Sequence, residues 1–385
     1  MSNICIVCEF NPLHNGHEYL LRKARDFGAD TVTCVMSGNS TQRGDLAITD
    51  KYKRAEVAIR CGADLVLELP FPWSSASADY FATAAVYIAS GFSDKLLFGS
   101  ESEDIGLLCK AAELCEKDEF KQEYSQRTSV GEGAASSFLS CLADNGIENL
   151  SSNDLLGIAY IRAIRRLGVD IEPITVKRDG AEYNSNEIIE GSYQSATAIR
   201  KNITDGKSVL GYVPDIMSQI LTNEERLGRL TDMKELDSAV LGFFRLSDVQ
   251  KFDDIADAGG GISNRIIAAA HDSVSYADMF DAVRTKRYTD AKLRRAILFC
   301  MTGVRTDIIE KLPEYTTLLA SNSNGRRLLA ANRKKQNVKI VTKPADTPKC
   351  VQSMLSDKLD SLYCLARKNK LPSNCFLKRS AYIEK

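Results

Sequence analysis

Two of the chain's three histidines, His14 and His17, fall in the run Glu9-Phe10-Asn11-Pro12-Leu13-His14-Asn15-Gly16-His17. If a helix starts there, this spacing lets both imidazoles converge on one point at its N-terminus. Free N–H groups and the helix dipole already favour an anion at such a point. Two imidazoles add donors for the non-bridging oxygens of a phosphate as charge grows in a transition state. Gly16 lets the backbone approach a nucleotide closely, and Asn11-Pro12 shapes the turn. The predicted chemistry is therefore phosphate-centred, with His14 and His17 as the catalytic pair. The third histidine, His271, lies far along the chain. A second run, Ser195-Ala196-Thr197-Ala198-Ile199-Arg200, reads as another helix start. Ser195 or Thr197 can cap it and face a phosphate, and Arg200 supplies a charge-assisted partner.

Positioning these groups requires a strand, a loop and a helix in that order. The apolar run Ile4-Cys5-Ile6-Val7-Cys8 precedes the histidine motif directly, and helical periodicity follows it, with Leu20, Leu21 and Ala24 on one face. The first 205 residues continue to alternate, with strands expected at 4–8, 31–36, 65–69, 95–98 and 171–176. Helices are expected at 17–27, 50–61 and 155–167, and a helical insertion between 103 and 149. Alternation of this kind predicts an α/β fold, a Rossmann-like parallel sheet. From residue 206 the strand signal fades, and short amphipathic helices at 238–246, 262–271 and 292–301 suggest a mainly helical domain over 206–310. A basic C-terminal region, 311–385, completes the chain, with a linker at 343–348.

The chain's 385 residues are 44% hydrophobic and carry a net charge of −1, but the charge is unevenly placed. Residues 285–385 hold 22 Lys and Arg against 8 Asp and Glu. A strongly basic end on an acidic body suggests a polyanionic partner, nucleic acid first among them. Lys286, Arg287, Arg294 and Arg295, with Tyr288 among them, are the residues expected to meet it. No apolar run reaches the ~20 residues of a membrane helix, and residues 1–8 lack the features of a signal peptide, which points to the cytoplasm. Cys5 and Cys8 have C-x-x-C spacing, but on a strand they face opposite sides, so they read as core. The segment 38–44, with Gln42 and Arg43, reads as a loop at a strand's C-terminal end, a common functional location. Asp50 reads as a helix cap and not as part of the site.

The two signatures resemble the H-x-G-H and S-x-T-x-I-R elements of the nucleotidyltransferase superfamily. The match sharpens over Val35-Met36-Ser37-Gly38-Asn39, Gln42-Arg43-Gly44, Leu67-Glu68-Leu69-Pro70-Phe71, Phe98-Gly99-Ser100-Glu101, Asn153 with Leu156-Gly157, and Lys177-Arg178. Together these segments resemble the bacterial tRNA(Met) cytidine acetate ligase family, most strongly before residue 205. The resemblance implies a two-step reaction. ATP and acetate form acetyl-adenylate and pyrophosphate, and the acetyl group then passes to N4 of the wobble cytidine of elongator tRNA(Met). It implies that the loop from Val7 to Leu20 binds ATP through Val7, Glu9, Phe10, Asn11, Pro12, His14, Asn15, Gly16, His17 and Leu20. Gly99, Asn153, Arg178, Ser195, Thr197 and Arg200 would complete that pocket, and Mg2+ is expected with the nucleotide because triphosphate chemistry usually needs it. Asp154 departs from the family's usual Asn. Membrane and DNA are not expected partners. The residues alone also leave open a small-molecule adenylyltransferase and a non-catalytic RNA-binding protein on the same fold.

Overall fold

The computed structural model describes residues 2–129, 133–177 and 194–384. Its centre is one eight-stranded sheet. The strands are β1 Asn3–Cys8, β2 Thr31–Ser37, β3 Leu65–Leu69, β4 Lys95–Ser100, β5 Glu172–Lys177, β6 Tyr315–Ser321, β7 Lys339–Val341 and β8 Tyr382–Ile383. The order is β5-β4-β1-β2-β3-β6-β7, with β8 also paired to β6. The pairings β1 with β2, β1 with β4, β2 with β3 and β4 with β5 are parallel. Every residue of β2 and β3 is buried, as expected for parallel strands covered on both faces. Cys5 and Cys8 sit in this core as free thiols.

The chain runs outward from β1 in both directions, to β2 and β3 on one side and to β4 and β5 on the other. That reversal leaves a crevice at the carboxyl ends of β1 and β4, where open α/β sheets bind ligands. The helix α1, Asn15–Asp26, starts directly above it. Its buried Leu21 and Ala24 face the sheet, and its ends carry Glu18 first and Lys23 and Arg25 last, which suits the helix dipole. The helix α2, Lys51–Arg60, is capped by Asp50, whose carboxylate accepts the N–H groups of Tyr52 and Lys53 at 3.1 Å. Asp50 is thus accounted for as a cap.

Between β4 and β5 lie the helices Ile105–Leu114, Asp118–Ser129 and Ala134–Asp144, then the long helix Ser152–Leu167. Residues 206–310 contribute helices, among them Tyr276–Val283 and Asp290–Thr302. The C-terminal stretch differs from its expected separate standing. Its β6 runs antiparallel to β3, with Leu65 opposite Ser321, and β7 and β8 extend the sheet from there. Without β6 the buried β3 would present an open edge, which a folded sheet has to cover. The run Tyr315–Ser321 is short and does not alternate, because both of its faces are largely buried, so its strand character did not stand out.

Candidate active site

The motif after β1 is held in place before any ligand arrives. His14 is the N-cap of α1 in an extended conformation, and its backbone N–H donates to His17 Nδ1 at 3.3 Å. The two imidazoles stack with ring centroids 3.6 Å apart, and Phe10 meets the His17 ring edge-on at 5.1 Å. An accepting Nδ1 leaves the proton of a neutral His17 on Nε2, which makes that nitrogen a donor. Asn11 is buried. Its Oδ1 accepts the Ile48 N–H at 2.8 Å and its carbonyl accepts Arg200 Nη1 at 2.8 Å. Arg200 also donates to Thr197 Oγ1 at 3.3 Å. The two signatures, far apart in sequence, are therefore joined by a guanidinium.

Both open onto one cavity of about 760 Å³, toward the upper end of the roughly 300–1,000 Å³ usual for small-molecule sites. Of the expected residues, Val7, Glu9, Phe10, Asn11, His14, Gly16, His17, Leu20, Gly99, Asn153, Thr197 and Arg200 line it. Three others do supporting work nearby. Pro12 follows a cis peptide bond in the turn. Asn15 ties α1 to the 206–213 segment, donating through Nδ2 to the Gly211 carbonyl at 2.7 Å and through its N–H to that of Tyr212 at 3.1 Å. Ser195 is buried and caps the helix Ala196–Thr204, accepting the Ala198 N–H at 3.1 Å. Arg178 lies outside the described residues, while its neighbour Lys177 lines the cavity.

Asn153, Leu156 and Tyr160 form one face of the helix Ser152–Leu167 and all line the cavity, as helical spacing requires. Gly157 lets this helix press on β4, because a Cβ there would stand 2.6 Å from the Phe98 ring. Phe98 packs on Tyr160 at 5.7 Å and forms the apolar wall. Asp154 faces away from this wall. Fully buried, it closes a capping box with Ser151 and accepts from Ser100 and Ser102. Burial works to raise its pKa, but these hydrogen bonds outweigh it and hold the carboxyl below the ordinary range. Its departure from the family's Asn therefore concerns the helix start and leaves the cavity surface unchanged.

Glu9 is half-buried at the cavity and accepts the Gln42 N–H at 2.6 Å. Burial pushes its carboxyl pKa up, against the Gln42 N–H and the charges of Arg200 and Arg43. Beneath it, fully buried Arg54 donates to the carbonyls of Glu9 and Gly38, to that of Ser37 at 3.2 Å and to that of Thr49 at 3.0 Å. One guanidinium thereby ties together the ends of β1 and β2. The signal for it was a charged residue four positions before Ala58, on the apolar stripe of α2.

The basic cluster divides. Lys286 and Arg287 are exposed, just before the helix Asp290–Thr302. Arg294 lines the cavity and pairs with Asp45 at 3.3 Å. Arg295 is buried and pairs with Asp257 at 2.6 Å, so the expectation that it meets an external polyanion is overturned. Successive residues on a helix point about 100° apart, and the pair Arg294-Arg295 straddles the boundary of the buried face. Among the described residues no cluster of three His, Cys, Asp or Glu could hold a metal ion, and no helix is long and apolar enough to cross a membrane.

A family model described as HIGH Nucleotidyl Transferase matches residues 1–375. The tRNA(Met) cytidine acetate ligase of Acetivibrio thermocellus is 34% identical, covering 96% of each chain. That of Caldicellulosiruptor saccharolyticus is 37% identical over 88% of this chain and 86% of its own. Among solved structures, apo Thermotoga maritima TmcAL superposes with a TM-score of 0.91 at 30% identity, covering 100% of both chains. The same protein bound with alpha-thio ATP gives 0.89 at 29% identity.

Proposed function

The chain belongs to the HIGH nucleotidyl transferase family and, within it, to the tRNA(Met) cytidine acetate ligases, and on that premise we propose that it uses ATP to activate acetate and acetylates N4 of the wobble cytidine of elongator tRNA(Met). The observation that supports this reading best is the single cavity in which His14 and His17 stand with Thr197 and Arg200 at the carboxyl ends of β1 and β4.

In the first step a carboxylate oxygen of acetate attacks the α-phosphorus of ATP, and pyrophosphate leaves. Phe98, Gly99, Asn153 and Tyr160 provide a wall for the nucleoside. His14 and His17 face the phosphates at the start of α1, where donors fixed in advance stabilise charge as it develops. Arg200, anchored on Asn11, adds a fixed positive charge. In the second step the exocyclic amine of cytidine attacks the acetyl carbonyl carbon. AMP leaves with the C–O bond electrons, and the amine loses a proton. Mg2+ belongs to this reading as an ion carried by the triphosphate, since such ions keep several waters and take few protein ligands. Glu9 is the cavity carboxylate nearest the motif in sequence. We assign the protein to the cytoplasm, where its tRNA substrate is found.

The test is incubation of the purified chain with ATP, labelled acetate and an unmodified elongator tRNA(Met) transcript, followed by digestion to nucleosides. Label in N4-acetylcytidine is the expected result. Label absent from tRNA while ATP is consumed would mean a different acceptor.

A further inference from the structure

The cavity has two ends, and the nucleotide accounts for one. Along the carboxyl edge of the sheet it runs from β5 and β4, past the motif on β1, to the loop that follows β2. The β4–β1 end is the crevice where α/β sheets take nucleotides. The β2 end is walled by Thr41–Asp45 on one side and by Thr289, Asp290 and Arg294 on the other.

This second wall is a built junction. The loop closes on itself, with the Thr41 N–H donating to the Asp45 carbonyl and the Gly44 N–H to that of Thr41, both at 2.9 Å. Gly44 has φ +80°, and a Cβ on it would stand 2.6 Å from the Arg295 backbone nitrogen. The loop therefore lies directly on the backbone of the helix Asp290–Thr302. Across the junction Asp45 Oδ1 pairs with Arg294 Nε at 3.3 Å, and both side chains line the cavity. The Asp45 side chain keeps 31% of its surface accessible beside this pair. Asp290, the other carboxylate here, is held by both Arg284 and Arg294, and the Arg284 contact lowers its pKa.

Resting on the proposed acetylation, we infer that Asp45 is a specificity-determining residue: its carboxylate accepts a hydrogen from the exocyclic amine of the acceptor base and rejects a base with a carbonyl in that place. Cytosine presents N4–H2 as a donor, for which Asp and Glu are the matching acceptors, whereas uracil presents the acceptor O4. A carboxylate held at the end of the cavity opposite the nucleoside wall would aim the amine at the acyl group and discriminate cytidine from uridine in one contact.

The experiment compares wild type, Asp45→Asn and Arg294→Gln for binding of two otherwise identical tRNA(Met) transcripts, with wobble cytidine or wobble uridine, in the presence of ATP. The wild type should prefer cytidine by roughly 10- to 100-fold, the range expected of one good base-edge contact. In Asp45→Asn the preference should collapse to about 3-fold or less, because an amide can turn its NH2 toward O4. Acetylation per pyrophosphate released should fall with it. Arg294→Gln breaks the same ion pair but keeps the carboxylate, and should retain most of the preference. Wild-type discrimination in Asp45→Asn would overturn the inference. So would an equal loss in Arg294→Gln, which would mean that Asp45 only locks the junction. If the wild type acetylates no tRNA, the functional reading itself fails; if it acetylates tRNA but Asp45→Asn still discriminates, only this inference fails.

Discussion

On the nucleotide side of the cavity, β1 passes directly into α1, and β4 is covered by the helix Ser152–Leu167, which comes after three intervening helices but before the next strand. On the opposite side, the loop Thr41–Asp45 meets a helix that begins only at Asp290. The first wall is built around one strand–loop–helix unit, β1 with α1, whose geometry that segment largely determines for itself. The second exists only when the sheet domain and the later helices are packed together, and it depends on a glycine, Gly44, that allows backbone to lie on backbone. Local units suit the chemistry common to ATP-using enzymes of this fold. A junction between distant segments suits the part of the site that decides which acceptor is used.

The largest effect that would sharpen this contrast falls on the first wall. His14→Ala and His17→Ala should each reduce acetate-dependent pyrophosphate release by roughly 100- to 1,000-fold, the usual consequence of removing a preorganised donor, while tRNA affinity changes little. Release near the wild-type rate in both variants would remove the motif from the active site. The junction comes next. Gly44→Ala forces a side chain into a left-handed backbone position and against the Arg295 nitrogen, and should destabilise the protein by roughly 1–3 kcal/mol. Denaturant unfolding gives that number, and an unshifted midpoint would show that the junction is loose. The smallest effect is external. Neutralising exposed Lys286 and Arg287 should weaken tRNA binding about equally for any sequence and lower the slope of log K against log salt by about 2. An unchanged slope would place the RNA path elsewhere on the surface.

The same contrast governs how much the sequence revealed. Strand, loop and helix around His14 could be read because hydrophobic periodicity and a compact motif lie side by side. Asn153 and Leu156 belonged to one readable stretch, and helical spacing carries that face on to Tyr160. The core strands were readable for a similar reason, since β2 is rich in β-branched residues and β3 is apolar but for Glu68. What was hidden depended on packing between distant segments. β6 does not alternate, because both its faces are largely buried against distant segments, though the sheet needed an edge partner. Arg295 looked like its neighbour Arg294, and only the orientation of the helix separates the buried residue from the one at the cavity. Asp45 carried no local signal at all, because its meaning comes from Arg294, which arrives from another part of the chain.

The most direct test of the whole account is pyrophosphate release from ATP by the purified chain, measured without acetate, with acetate, and with acetate plus total tRNA. The account predicts release that requires acetate and rises further when tRNA removes the acetyl group. Release that is indifferent to acetate would contradict it, because the cavity would then be activating something else.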